Sequence, residues 1–231
     1  MDLEPNQTAI AYDRLRKDLL ACRVRPGDRI PVSLISKELS ISPGPVREAL
    51  SRLVAEGLVE TEQNRGYRAS ELAMEKFGHL TQARLAIDTL CLRESIAVGD
   101  VEWETTLIAA CHRMERRLEL LDGSPETEDR FAEAHSLFHK ALVNGGRNPY
   151  LLRMHELLYL QSSRYRRLCI PLAHDKPRIH TFQGEFITAV IARDADRAVE
   201  LLTEYYLAAR DLINTALEAK GDLINSESVA A

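Results

Sequence analysis

The sequence has little of what marks a membrane, secreted or redox protein. Its 231 residues include no apolar run long enough to span a bilayer, and the N-terminus lacks the basic and apolar regions of a secretory signal. The four cysteines stand far apart, in no metal-binding or redox spacing; they are Cys22, Cys91, Cys111 and Cys169. We therefore expect a cytoplasmic protein with no membrane partner, whose cysteines are reduced thiols in helices.

An excess of positive charge is also missing. The chain has 30 Lys and Arg against 35 Asp and Glu, which gives a formal net charge of −5. Up to Ser70 the balance is nearly neutral, with 11 basic and 10 acidic residues, so the remainder carries the negative charge. Any contact with nucleic acid must therefore come from a local cluster of side chains, because bulk charge does not favour it.

The N-terminal part has the pattern of three helices. Apolar spacing and breakers predict them at 8–22, 33–39 and 43–56. The third begins at a Ser-Pro-Gly-Pro corner, where Ser42 is a good N-cap residue. Pro43 and Pro45 cost little there, because N–H groups in the first turn have no partner inside the helix.

Two short strands follow the third helix. Residues 58–62 and 67–69 alternate as strands do, and the turn at 63–66 between them contains Gly66. Three helices and a hairpin in this order are typical of a winged helix-turn-helix, although an ordinary small α+β domain has the same elements.

Arginines on the exposed face of the third helix favour DNA as the partner. Arg47 and Arg52 lie away from its apolar face, and Arg65 lies beside Gly66 at the tip of the wing. The predicted contacts with double-stranded DNA are Ser33, Ser42, Gly44, Pro45, Arg47, Arg52, Arg65 and Gly66.

From residue 73 onward no strand is predicted. Six helical stretches are separated by short Gly, Pro, Asp and Asn breaks; they are 74–98, 103–121, 127–143, 149–172, 178–193 and 195–220. Long helices with short loops form an antiparallel bundle. The expected fold is thus mainly α, with a winged helix-turn-helix at 1–72, an all-helical domain at 73–220 and a flexible tail at 221–231.

Polar side chains interrupt the apolar stripes of these helices. The main ones are Arg84, His135, His139, Gln183 and Tyr205, and Gln161 is a further one on the fourth helix. Each would cost about 1–3 kcal/mol if it were buried without a partner. The pattern favours one shared polar pocket that a small anion or polar metabolite fills, over separate hydrogen bonds in the core.

Several motifs resemble the GntR regulators, and in particular the FadR-like group with an FCD effector domain. Ser42–Leu50 reads SPGPVREAL, close to the SRTPVREAL of the family, and Arg52–Val59 continues the match. Phe138–Leu142 and Ala192–Ala198 resemble motifs of the second domain. The resemblance covers about residues 12–211 and implies a homodimer that reads palindromic operator DNA.

The chain departs from the family pattern at the start of the third helix. Pro43 and Gly44 stand where the family usually has Arg and Thr, and Ser51 stands where it often has Arg. The resemblance therefore implies fewer base and phosphate contacts there.

A second departure concerns metal. Many FCD domains bind a divalent metal through an Asp, a His four residues later and two further His. The positions that correspond here are His135, His139, Gln183 and Tyr205, so one of the four keeps the usual residue. His135 and His139 could still hold a transition metal as a pair at i and i+4. Alternatively, the pocket binds an organic anion directly, with Arg84 as its main charge.

The sequence thus predicts a ligand-responsive transcriptional regulator rather than an enzyme, most simply a repressor of a catabolic operon. The expected effector is a small carboxylate, sugar acid or amino acid, and no cofactor is expected beyond a metal at a degenerate site. One alternative is a helical metal-dependent enzyme that uses His135 and His139. Another is an interaction module whose winged domain has lost DNA binding.

Overall fold

The computed structural model describes residues 6–62, 66–169 and 176–229, without the side chains of 169, 176–183, 216 and 219–229. The chain divides into two units, each with its own core. The first unit contains Met1–Ala73 and Leu160–Arg167, and the second contains Met74–Tyr159 and Leu168–Ala231. In the described part of the chain, no helix is both long and apolar enough to cross a membrane.

The first unit contains the predicted helices and wing. Its elements are α1 (Gln7–Leu20), β1 (Arg29–Ile30), α2 (Val32–Leu39), α3 (Pro43–Ala55), β2 (Val59–Glu62) and β3 (Gly66–Ala69). The strands form an antiparallel sheet in the order β1-β3-β2. Strand β1 was not predicted, because two residues are too short to show a periodic pattern.

The core of this unit lies between α1, α3 and the sheet. Leu15 and Leu19 of α1 pack with Leu50 and Leu53 of α3, and all four are fully buried. Each leucine buried in this way contributes roughly 1.5–3 kcal/mol. Their spacing fixes which face of α3 is left to solvent.

The second unit is an all-helical bundle. Its helices are α4 (Met74–Val98), α5 (Val101–Glu119), α6 (Pro125–Val143), α7 (Pro149–Cys169), α8 (Lys176–Ile191) and α9 (Ala195–Val229). The segment Leu160–Arg167 of α7 is the exception, because it belongs to the first unit. Six helices were predicted, and the starts at Met74, Pro149 and Ala195 agree with the structure. The predicted end of the last helix at residue 220 differs from it, since α9 continues to Val229. No proline interrupts this stretch, and one glycine costs a helix only about 1 kcal/mol.

Large apolar side chains fill the centre of the bundle. Phe138 of α6 meets Phe186 of α8 edge to face, with ring centroids 6.1 Å apart, and both are fully buried. Trp103 of α5 donates its indole N–H to the Ala141 carbonyl at 2.8 Å. The polar residues of the inner stripes lie beside this apolar core and contact one another.

Candidate functional site

The first candidate site is the solvent face of α3. Val46, Ala49, Leu50 and Leu53 are buried, so the helix turns its other residues outward. The exposed ones include Gly44, Arg47, Glu48, Ser51 and Arg52, and Pro45 is half-buried. The predicted exposure of both arginines is therefore confirmed.

The beginning of α3 differs from the expected cap. Ser42 occupies the N-cap position in an extended conformation, but its side chain makes no capping hydrogen bond. A capping oxygen usually accepts from the N–H of N2 or N3, and Pro45 at N3 has no N–H. Ser42 is therefore an N-cap by position only, and its exposed hydroxyl points to no partner within the helix.

The two arginines of α3 are in different states. The guanidinium of Arg52 donates to the Glu48 carboxylate at 2.8 Å, and the other oxygen of Glu48 accepts from the Thr8 hydroxyl at 3.1 Å. The Arg47 side chain makes no hydrogen bond or ion pair within the described residues. Arg47 is thus the arginine of this helix that a ligand can engage without breaking a contact.

The wing and α2 provide fewer exposed candidate DNA contacts than the sequence predicted. Gly66 at the start of β3 is exposed with φ +96°, while Arg65 lies outside the described residues. Arg68, near the wing, donates to the Glu62 carboxylate at 2.7 Å and to the Gly27 carbonyl. It therefore secures the sheet. Ser33 is exposed in the first turn of α2.

The second candidate site is a polar cluster in the bundle core, centred on Arg84 of α4. This residue is 6% exposed, as its place on the apolar stripe predicts. Its Nη2 atom donates to the Tyr206 hydroxyl at 2.6 Å and to Asp88 at 3.2 Å, and lies 3.4 Å from Nδ1 of His139. Arg84 is therefore held by protein groups from three helices.

Asp88 is the acidic member of the cluster, and sequence reasoning missed it. It is fully buried; one carboxylate oxygen lies 2.7 Å from Nδ1 of His155, and the other accepts from Tyr206 at 2.5 Å. Burial raises the pKa of Asp88, but the hydrogen bond from His155 and the charge of Arg84 outweigh it and hold the pKa below its ordinary value. The carboxylate is thus charged inside the bundle.

Two histidines and two tyrosines complete the cluster. His135 lies between phenols, with Nδ1 3.0 Å from the Tyr159 hydroxyl and Nε2 3.2 Å from that of Tyr205. His139 packs beside it, with ring centroids 4.5 Å apart, and its Nδ1 lies 3.2 Å from the Tyr206 hydroxyl. These side chains offer donors and acceptors that can change roles with the histidine tautomer.

The structure brings four of the five predicted effector residues together. Arg84, His135, His139 and Tyr205 meet in the cluster, while the side chain of Gln183 lies outside the described residues. The additional members are Asp88, His155, Tyr159 and Tyr206. Asp88 had a usable signal, because it stands four residues after a buried arginine on the same helix.

Gln161, on the other hand, does not join the cluster. It belongs to the first unit, where its side-chain amide donates to the Glu56 carbonyl at the end of α3, at 3.1 Å. An α-helix leaves its last carbonyls without internal partners, and an amide N–H can satisfy one of them. The expectation of a pocket role for Gln161 was therefore wrong.

The described residues do not fit a tightly bound metal. They contain no group of three or more His, Cys, Asp or Glu that could hold an ion. Both ring nitrogens of His135 face phenols, and Nδ1 of His139 faces the Arg84 cation. Neutral phenols are poor ligands, and a guanidinium repels a dication.

Family models match both units of the chain. The model described as bacterial regulatory proteins, gntR family, matches residues 7–68, and the FCD domain model matches residues 79–208. The second match alone covers more than half of the chain. Its range includes all eight residues of the polar cluster.

Curated relatives and solved structures agree with these matches. The HTH-type transcriptional regulator BphR of Paraburkholderia xenovorans is 33% identical over 198 residues, which are 83% of this chain and 78% of BphR. The HTH-type transcriptional repressor GlaR of Escherichia coli is 32% identical over 213 residues, 89% of this chain and 95% of GlaR. A GntR transcriptional regulator from Rhodococcus has the same fold, with a TM-score of 0.75 at 23% identity over 90% of this chain and 98% of its own.

Proposed function

Because this chain belongs to the GntR family of bacterial transcriptional regulators and carries an FCD domain, we propose that it is a repressor whose operator binding responds to a small organic acid. The observation that carries the proposal is the buried Arg84–Asp88 pair, which the phenols and imidazoles of the bundle surround. The repressor role is supported by GlaR, a relative that is itself named a transcriptional repressor. The relatives are regulators, which disfavours the enzyme alternative.

The proposed DNA interface is the exposed start and face of α3. Arg47 supplies the main contact to a base or phosphate, with Ser42, Gly44 and Pro45 at the helix start and Arg52 one turn further on. Two of the first four N–H groups of the helix are absent, because Pro43 and Pro45 have none. The helix start therefore offers fewer backbone donors to phosphate, and Arg47 carries more of the binding.

Salt-dependent binding to a selected operator tests this role. We expect Arg47→Ala to lose about 1–3 kcal/mol of operator affinity while it melts like the parent protein. Arg130→Ala is the matched control, because Arg130 is an exposed arginine of α6 paired with Glu126. Unchanged affinity of Arg47→Ala would contradict the placement of α3 on DNA. A parent protein that shows no salt-dependent retention on DNA would point to an interaction module instead.

A homodimer on palindromic DNA belongs to the same proposal. One recognition helix contacts too few base pairs for high specificity, and two-fold symmetry doubles the site. Light scattering should give the mass of a dimer, and the operator should require two half-sites. A monomer that binds a single half-site with full affinity would overturn this part.

The effector site is proposed in the polar cluster, with Arg84, His135, His139 and Tyr205 as contacts and Gln183 as a further one. The cluster already holds one carboxylate, that of Asp88, through Arg84 and Tyr206. A ligand carboxylate finds the same donors if it displaces Asp88, which His155 still binds.

The paired histidine and phenol groups favour an acid with a second polar group. His135 with Tyr205 can bind a hydroxyl or amino group of the ligand, since each of them can donate or accept. The effector class is therefore a small hydroxy acid, sugar acid or amino acid. We propose that the acid binds directly, because the described residues contain no group of three metal-ligating side chains.

Thermal shift with a panel of such acids tests the effector proposal. Arg84→Gln should abolish the ligand-induced rise in melting temperature, and chelators should leave the melting of the parent protein unchanged. Arg93→Gln is the control, because Arg93 is an exposed arginine of the same helix, paired with Asp196. Stoichiometric zinc, nickel or manganese in protein purified without added metal would contradict direct binding and restore His135 and His139 as metal ligands.

A further inference from the structure

A buried arginine with unused donors lies in the first unit. The side chain of Arg164 is 1% exposed, and its Nε and Nη2 atoms make no hydrogen bond within the described residues. Burial lowers the pKa of Arg164, and the neighbouring Cys22, Tyr165 and Glu60 partly oppose this. An arginine keeps its charge even so, and a buried cation with unused N–H groups is an unfavourable arrangement unless an acceptor reaches it.

Cys22 is the nearest reactive group. It follows the C-cap of α1 with φ +53°, and its thiol donates to the Arg164 carbonyl at 3.7 Å. The Arg164 guanidinium lies close enough for Cys22 to raise its pKa. Cys22 is also partly exposed to solvent. A thiol beside a guanidinium favours its thiolate form, which is the nucleophile.

The other described cysteines are in the opposite situation. Cys91 and Cys111 are buried in the bundle, and burial raises their pKa values to about 11 and about 12. These thiols stay protonated and shielded at neutral pH. Exposure and a neighbouring cation therefore distinguish Cys22 from two thiols of the same chain, which serve as internal controls.

We propose that Cys22 is a peroxide-reactive thiol whose oxidised form is held by Arg164. The Cys22 thiolate attacks one oxygen of hydrogen peroxide, so a sulfur–oxygen bond forms and the oxygen–oxygen bond breaks. Sulfur loses two electrons, and the leaving hydroxide takes the proton that the thiol released and becomes water. The product is a sulfenic acid, whose oxygen accepts from the unused Nε or Nη2 of Arg164.

This arrangement explains why an arginine suits the position. In the reduced state, Nε and Nη2 of Arg164 have no hydrogen-bond partner within the described residues. A sulfenate would add an oxygen acceptor to a side chain that already influences the guanidinium. Hydrogen bonds between ionised partners are the stronger ones, so the oxidised state is retained long enough to be trapped. The modification lies in the unit that carries α3, independently of the effector cluster.

The test is site-resolved sulfenate trapping on the full reduced chain. The protein is treated with substoichiometric hydrogen peroxide and dimedone at pH 7, and each cysteine is quantified by peptide mass spectrometry. Cys22 should be labelled at least about tenfold faster than Cys91 and Cys111, and Cys22→Ser should lose that adduct. Labelling of Cys22 no faster than that of the two buried cysteines would overturn the proposal.

The role of Arg164 is tested separately. Arg164→Gln should slow the labelling of Cys22 about tenfold at pH 7, because an ordinary thiol is only a few per cent thiolate there. If this variant does not fold, the pH dependence in the parent protein decides. The labelling rate should fall by clearly less than tenfold between pH 7 and pH 6, whereas a tenfold fall would show an ordinary thiol and contradict the assistance by Arg164.

Discussion

Two helices of this protein begin with the same Ser-Pro pair and use it in opposite ways. In α6 of the second unit, Ser124 accepts from the Thr127 N–H at 3.3 Å and closes the helix start. In α3 of the first unit, Ser42 has the same place but makes no such bond, because the third helical residue is Pro45. The start of α6 thus has a capping hydrogen bond that stabilises the helix. The start of α3 has no such bond and lies on the surface that we propose binds DNA.

The arginines of the two units show the same contrast. Arg47 projects from α3 and makes no hydrogen bond or ion pair within the described residues, whereas Arg84 is buried and held by Asp88 and Tyr206. A surface group can bind a ligand at little cost to the fold. A buried group must exchange one partner for another, so ligand binding and stability are coupled in the second unit.

We expect the largest effect on stability from the loss of Asp88, and this variant tests the contrast between buried and exposed arginines. Asp88→Asn should lower the free energy of unfolding by about 3 kcal/mol, because removal of one partner leaves the Arg84 charge buried without compensation. Urea unfolding measures it. Asp196→Asn is the control, since the Arg93–Asp196 pair on the surface is worth less than about 1 kcal/mol. An equal decrease in the free energy of unfolding in both variants would show that the buried pair stabilises the fold no more than the surface pair does.

Acid should remove the same stabilisation progressively. The pKa of Asp88 is lower in the folded protein than its ordinary value of 3.8, so its contribution is present above that value and lost as the pH falls through the folded-state pKa. The free energy of unfolding of the parent protein should therefore fall below pH 4 more steeply than that of Asp88→Asn. Parallel pH profiles would mean that other carboxylates dominate the acid response.

An added arginine at the open helix start should strengthen DNA binding. A Cβ atom at Gly44 would meet no atom within 4 Å, and the residue is exposed, so Gly44→Arg has room on the surface. It should increase operator affinity by about 1 kcal/mol and steepen the salt dependence by about one phosphate contact. Gly184→Arg is the control, because this exposed helical glycine of the second unit is equally open. An equal gain from both would reflect bulk charge alone.

The smallest effect concerns the two serine caps themselves. Ser124→Ala should lower the free energy of unfolding by about 1 kcal/mol, because it removes a cap that bonds Thr127. Ser42→Ala should change stability by less than about 0.5 kcal/mol and weaken only DNA binding. A similar decrease in melting temperature for Ser124→Ala and Ser42→Ala would contradict the difference between the two caps.

Much of the fold could be predicted because each helix has a clear beginning. Pro149 and Ala195 follow strong start signals, and the structure begins α7 and α9 there. The end of α9 was predicted too early, because the single glycine at residue 221 does not stop the helix. Strand β1 was missed because its pairing partner, β3, lies far along the chain, and two residues contain no period.

The candidate sites could be predicted in part for the same reason. The face of α3 that bears Arg47 is exposed because helical periodicity buries the opposite face, which a sequence records directly. The stripe that bears Arg84 is likewise a property of one helix. Gln161 satisfied the same criterion, yet its neighbours in space belong to the end of α3.

The sequence by itself determined the class of fold, the family, and which polar side chains each helix turns inward, because all of these follow from local periodicity and motifs. Only the tertiary structure decided what those side chains contact on other helices: Tyr206 bonds both Arg84 and Asp88, and His135 lies between Tyr159 and Tyr205. Hydrogen bonds act over about 3 Å between atoms of different helices, and no spacing along one helix specifies which residue of another will occupy that distance.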